Sequence, residues 1–420
     1  MQYRTMPGSD EKLSALGYGC LRLPTFVGGP ASNLIDKEKA LRQIRHAIDK
    51  GVNYLDTAYP YHLGASESFL GEHVLKDGYR EKVKIATKLP CMIINRSESF
   101  EEIFQNQLNK LHVDTIDYYL LHGLNGITWD KMKNLGIRDF MDRLKDEKRI
   151  RHMGFSFHGR KEDFMRIVDE YDWEFVQIQF NIIDEHIQAG IEGLEYAHKK
   201  GMGVIIMEPL RGGSLVGKIP AEVKKIYDSA VVKRSPADWA LRWVWDHPGV
   251  TMVLSGMNVD EHIEENLRIA GEALPLSLTE DDKKIIKRVR DKYAELLQVG
   301  CTGCAYCMPC PAGIDIPAVF KNLNNYHMFS KTEALLRHME YMGIETPDGK
   351  PRWTNSCINC GRCETKCPQS IPVRSVFKKV RKELEHPVTK GAALAARIII
   401  KRIPKVEAFL IWRRRKKSSV

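Results

Sequence analysis

Four side chains in the first third of the chain could together put a proton on an oxygen: Asp56, Tyr61, Lys88 and His122. A phenol with pKa near ~10 is a poor acid at neutral pH, but a lysine ammonium beside it favours the phenolate and moves the group toward the working range. An aspartate next to that lysine would hold the ammonium charged and in place. A neutral histidine could orient or polarise a carbonyl oxygen, as a donor aimed at developing negative charge. Each residue also has an ordinary reading, as a solvated strand-end lysine, a satisfied core histidine or a packing tyrosine. Their joint placement argues for chemistry: protonation of an oxygen while hydride arrives at carbon.

That placement depends on strands. Short apolar or β-branched runs recur around Leu16 to Leu21 and at 52–58, 83–89, 116–123, 152–159, 175–181, 203–209 and 250–256. Stretches of helical period lie between them, at 37–50, 100–111, 139–148, 187–200, 236–246 and 259–270. Eight such units predict an α/β fold, a closed parallel (β/α)8 TIM barrel over residues 1–276, with reactive groups at the C-terminal ends of its strands. Asp56, Lys88 and His122 end three of the runs, and Tyr61 lies just beyond the first of these.

The motif DTA-x-x-Y at 56 to 61, with SE at 66 and 67 and LGEHV at 70 to 74, resembles the signature of the aldo-keto reductase family. TK at 87 and 88 and LLH at 120 to 122 fall where that family keeps its lysine and histidine, and the similarity covers about residues 10 to 275. The resemblance implies Tyr61 as general acid/base, Lys88 and Asp56 as its tuners, and His122 as the substrate-orienting group. It also implies a small carbonyl or alcohol as substrate and NAD(P)H as hydride source. Ser156 and Gln177 match positions that bind the nicotinamide carboxamide, and Leu210, Glu265 and Asn266 are expected on the remaining cofactor loops. The chain departs from the family at Phe157, where an asparagine is usual, and at Met207, where many members carry an aromatic. Near the expected adenosine end, Gly256, Asn258 and His262 offer no Lys or Arg fork for a 2′-phosphate.

Of the ten cysteines, eight crowd between 301 and 367. Cys301, Cys304, Cys307 and Cys310 are spaced by two with Pro311 after them, and Cys357, Cys360, Cys363 and Cys367 form C-x2-C-x2-C-x3-C-P. Such runs predict two 4Fe-4S clusters with the fourth cysteine of each run exchanged, so that Cys301, Cys304, Cys307 and Cys367 hold one and Cys357, Cys360, Cys363 and Cys310 the other. The first run ends in a two-residue gap where three is usual. Two four-cysteine zinc sites are the plainer alternative, though these commonly present pairs. A connecting helix is expected over 277–300, then a small, mainly α-helical ferredoxin-like domain over 301–375 with helical patterns at 316–325 and 331–342. Cys20 and Cys91 read as small core residues.

Residues 376–420 are expected to form a basic tail. From Arg374 onward fifteen Lys or Arg face three acids, a net +12, so the +10 of the whole chain leaves −2 for everything before it. This predicts either a solvated tail or attachment to an anionic lipid surface or an acidic electron-transfer partner such as a ferredoxin. No nucleic acid is expected, because nothing pairs these cations with a reading element. No apolar run reaches the roughly 18 to 20 residues of a membrane span, which points to the cytoplasm.

Hydride carries two electrons, whereas clusters move them singly. Three readings follow: a carbonyl reductase or alcohol dehydrogenase that carries clusters; an enzyme in which a flavin or another reducible group links clusters to substrate; or an electron carrier whose barrel binds nucleotide without turnover. The intact set of four counts against the last.

Overall fold

A computed structural model describes residues 1–26, 32–217, 219–301, 307–344, 351–367 and 369–402. The chain divides into two compact units, one of Met1–Gly217 with Lys225–Arg290, the other of Lys218–Lys224 with Asp291–Val420.

The first unit opens with an antiparallel hairpin, β1 (Tyr3–Thr5) and β2 (Lys12–Ser14). The barrel strands follow: β3 (Leu16–Gly19), β4 (Tyr54–Asp56), β5 (Lys84–Leu89), β6 (Ile116–Leu124), β7 (Ile150–Phe157), β8 (Phe175–Gln179), β9 (Gly203–Met207) and β10 (Met252–Ser255). All pair in parallel in chain order, and β10 closes on β3. Because a parallel barrel buries both faces of each strand, its strands read as near-continuous apolar runs. Tyr54, Ala86, Tyr118, Leu120, Phe175, Ile205, Met252 and Leu254 form an inner cluster, joined by Met6 and Leu13 of the hairpin. Met6 lies over the start of β9, where a Cβ added to Gly203 would stand 2.6 Å from its sulfur. The hairpin thus covers the N-terminal end of the barrel and leaves the C-terminal end for chemistry. Three-residue strands carry too little periodicity for the hairpin to be read from sequence.

The expected helices are present, with ends set by caps: Asp36 accepts from the Lys39 amide ahead of Lys37–Asp49, and Ser235 from the Asp238 amide ahead of Pro236–Asp246. Such a cap contributes about 1 kcal/mol. Helices at Ala65–Phe69, Gly126–Asn134 and Lys161–Asp169 were not apparent from the sequence pattern.

The helix Glu280–Leu296 carries the chain from the first unit into the second. There the helices Ile316–Met328, Lys331–Met339, Val373–Glu383 and Pro387–Arg402 surround a core that includes Ile314, Val319, Phe320, Leu323, Phe377, Val380 and Leu384. Asn324 anchors the entry to the first cysteine run, accepting from the amides of Gln298 and Val299 at 3.0 and 2.9 Å and donating to the Val299 carbonyl at 2.8 Å. The boundary expected at 375 falls inside Val373–Glu383, and Leu384 and Ala393 also belong to the core. Residues 376–402 are therefore part of the helical unit, held by an apolar pattern that their charge obscures. The rest of the expected tail, 403–420, lies outside the described residues.

Candidate active site

The strand ends deliver the four side chains to one cavity. Lys88, at 0% exposure, donates to both carboxylate oxygens of Asp56 at 2.7 Å and to the Thr57 carbonyl at 2.8 Å, and its Nζ lies 3.4 Å from the Tyr61 hydroxyl. The Tyr61 and His122 rings meet edge to face with centroids 6.1 Å apart. Tyr61 reaches this position through a turn in which His62 and Leu63 take left-handed φ of 53° and 54°, a conformation that needs outside support. His62 supplies it: Nε2 accepts from the Leu23 amide at 3.2 Å, which leaves Nδ1–H to donate to the Ser32 carbonyl at 2.8 Å. The SE pair is structural. Ser66 hydrogen-bonds the Thr57 hydroxyl at 2.9 Å, and buried Glu67 accepts from Thr87 and Gln107 at 2.6 and 2.7 Å, bracing the residues beside Asp56 and Lys88.

Burial would lower the Lys88 ammonium, but the Asp56 carboxylate and the Tyr61 oxygen hold it above its ordinary value, so it is charged at neutral pH. Burial pushes the Tyr61 phenol up; Lys88 pulls it back, though by less. Lys88 acts on the phenol in the expected direction, but the site that gathers the pair also removes water from the phenolate, and that effect is the larger. Tyr61 is therefore a neutral phenol at pH 7. His122 is pushed down to about 3 by burial, then by Lys88 and His158, and is therefore also neutral.

The cavity, about 570 Å³, is lined by Asp56, Tyr61, Lys88 and His122 and by all five residues expected at the cofactor: Ser156, Gln177, Leu210, Glu265 and Asn266. The Ser156 hydroxyl accepts from the Gly123 amide at 2.8 Å, which leaves its proton to be donated. Gln177 is 2% exposed, and its Oε1 is a buried acceptor with no partner. A primary carboxamide offers what this pair lacks, an oxygen for Ser156 and an N–H for Gln177, so the cavity fits a nicotinamide. Glu265 accepts from Ser235 at 2.6 Å and Asn266 donates to Ser255 at 3.0 Å, which fixes both side chains at the far end. Met207 also lines the cavity, whereas Phe157 is buried in contact with the Phe164 ring.

The sequence reading missed Arg22. Its stem lies over Gly256 and its guanidinium reaches Gly212, where added Cβ atoms would stand 3.2 and 2.9 Å from it. It lines both the main cavity and a smaller one with Lys39 and Asn258, and has no hydrogen-bond or ion-pair partner among the described residues. No motif marks Arg22, because its position follows from a loop path and not from strand periodicity.

In the second unit Cys301, Cys307, Cys363 and Cys367 line one small cavity with Ile316, Phe320, Ile371 and Val373. Three of these belong to the first expected cluster set, and Cys363 to the second. Its thiol is raised by burial, then by Glu364, with a smaller effect from Cys357. Cys310 and Cys357 pack against the same core, Cys360 is exposed, and Cys304 lies outside the described residues. Several thiols around a partly apolar hollow suit a soft iron-sulfur group. Among the described residues no close group of three or more His, Cys, Asp and Glu stands ready for a single metal ion. Cys20 and Cys91 are buried in the first unit.

Residues 16–291 match the model of the aldo/keto reductase family, and residues 300–371 that of the 4Fe-4S dicluster domain. The chain is 26% identical to the aldo-keto reductase YhdN of Bacillus subtilis, over 69% of this chain and 93% of that one. The solved holo form of an aldo-keto reductase from Bacillus halodurans superposes with a TM-score of 0.56 at 26% identity, covering 69% and 96% of the two chains. An aldo-keto reductase of Klebsiella pneumoniae, solved in complex with NADPH, shares the fold with a TM-score of 0.55 at 21% identity, over 69% and 95%.

Proposed function

The chain belongs to the aldo/keto reductase family and is an oxidoreductase, and from that premise we propose that its barrel reduces a carbonyl, or oxidises the matching alcohol, with Tyr61 as general acid/base. The observation that carries this reading is the buried line from Asp56 through Lys88 to the Tyr61 hydroxyl, at 2.7 and 3.4 Å, on the wall of a cavity that also holds the unpartnered Gln177 oxygen. When bound, a nicotinamide nucleotide supplies hydride to the carbonyl carbon. Tyr61 gives its phenolic proton to the carbonyl oxygen, and Lys88, kept charged by Asp56, stabilises the phenolate left behind. Neutral His122 orients the same oxygen. Ser156 and Gln177 would hold the carboxamide, Leu210, Glu265 and Asn266 would line the rest of the nucleotide path, and Arg22, between the loops at Gly212 and Gly256, would supply a cation for its phosphates.

Tyr61→Phe tests the assignment, since it removes one oxygen and keeps the ring. Carbonyl reduction should fall by about 10² to 10⁴ while nucleotide affinity is unchanged. Unchanged turnover would remove Tyr61 from the mechanism.

For the second unit, the reading is of two 4Fe-4S clusters, on Cys301, Cys304, Cys307 and Cys367 and on Cys357, Cys360, Cys363 and Cys310. Bound there, clusters would pass electrons one at a time. The dicluster domain on the same chain favours a second reading of the enzyme. In it, an electron-transfer partner such as a ferredoxin exchanges electrons with the clusters, and a flavin in the barrel converts between single electrons and pairs.

A further inference from the structure

The helix Pro387–Arg402 has two faces with opposite surroundings. Thr389 and Ala393 are buried. Ala393 sits against Gly343 and Trp353 so closely that a Cβ added to Gly343 would stand 2.8 Å from the Ala393 methyl and 2.6 Å from the Trp353 ring. The start of the helix is also pinned. Just ahead of it, buried Glu385 accepts from the Thr354 amide and hydroxyl at 2.9 and 2.8 Å, and Lys390 lies 3.8 Å from its carboxylate. These contacts fix which side of the helix faces outward.

That side is apolar. Val388, Gly391, Leu394, Ala395 and Ile398 follow the three- and four-residue spacing of one helical face, and all are exposed. Val388 is 82% exposed, Leu394 56% and Ile398 46%, on a helix whose opposite side already fills the core. Surface helices place their polar residues outward, so a stripe of this kind marks something that covers it. Charge identifies the cover. From Arg397 to the end the sequence carries nine Lys or Arg and one acid, Glu407, around the apolar run FLIW at 409–412. An acidic protein partner would be met by the cations alone. Apolar side chains alternating with cations of one sign match the boundary of an anionic bilayer, where apolar groups enter the acyl edge and Lys and Arg meet the headgroups. Among the described residues no helix is long and apolar enough to cross a membrane.

We propose that the exposed face of Pro387–Arg402, with the basic segment after it, docks this protein on an anionic membrane surface. The proposal is independent of the reaction assigned to the barrel.

The test is flotation of the full-length, cluster-loaded protein with vesicles of phosphatidylcholine alone or mixed with phosphatidylglycerol. The protein should float with the anionic vesicles and not with the neutral ones, and high salt should lower the bound fraction by about tenfold or more. Leu394→Asp combined with Ile398→Asp should lower it similarly, with iron content and carbonyl reduction unchanged. Arg413→Glu, Arg414→Glu and Arg415→Glu together provide a second variant, outside the helix, expected to lose binding in the same way. Absence of wild-type binding to anionic vesicles would overturn the proposal, as would equal binding by the double variant. Retention on an acidic ferredoxin, or a dimer that the double variant dissociates, in either case without vesicle binding, would assign the stripe to a protein instead.

Discussion

His122 shows how burial and neighbouring positive charge together set a protonation state. Its imidazole is pushed down to about 3, first by desolvation and then by the Lys88 charge, so the folded protein holds it neutral at pH 7. The unfolded chain takes up a proton at this residue near pH ~6.5, while the folded chain does not until about 3. Stability must therefore be lost progressively as pH falls through that window, because the unfolded state binds more protons there. Urea unfolding at pH 7, 5 and 4 checks this: His122→Asn should lose less stability on acidification than the wild type. Identical pH slopes would show that His122 is protonated in the folded state. At this scale the site was largely legible in the sequence. Asp56, Lys88 and His122 end apolar runs, and a strand end in a parallel barrel is a physical address. The phenol's protonation was not legible, since it depends on how much water the folded site excludes, which no spacing records.

At the level of elements, the loops after the strands line the cavity proposed for the nucleotide. Arg22 follows β3, Leu210 and Gly212 follow β9, and Gly256 follows β10, so three separate loops face one path. Arg22 holds a charge with no described counter-ion in that path, and a hydrogen bond to a charged group contributes about 1.5 to 3 kcal/mol. Arg22→Leu should weaken nucleotide binding by about tenfold to a hundredfold with kcat little changed, read by fluorescence titration of the nucleotide. An unchanged Kd would show that the guanidinium makes no contact with the phosphates. The barrel strands were legible because strands buried on both faces carry short apolar runs, as in GVIIM at Gly203–Met207. The hairpin Tyr3–Ser14 was hidden by its length, and the helix Val373–Glu383 by its charge, although Val373, Phe377 and Val380 carry the spacing of a buried face.

For the molecule as a whole, the charge count separates functions more clearly than the pI of 9.0 does. The sequence before Arg374 is slightly acidic, and the excess of cations lies after it. A dicluster domain stands beside a barrel whose proposed reaction needs only a hydride and a proton. Anaerobic purification should give brown protein with about eight irons and as many acid-labile sulfides per chain. Zinc in their place would contradict the cluster assignment.

In the proposed reaction, electrons reach the substrate as hydride beside Tyr61. Transfer of deuterium from a 4-deuterated nicotinamide nucleotide to a reactive aromatic aldehyde, followed in a single anaerobic turnover, tests it directly. One deuterium is expected on the product's carbinol carbon with the wild type, and the same product formed about 10² to 10⁴ more slowly with Tyr61→Phe. Product formed by the wild type with solvent hydrogen at that carbon would contradict it, and would place a flavin or the clusters between nucleotide and substrate.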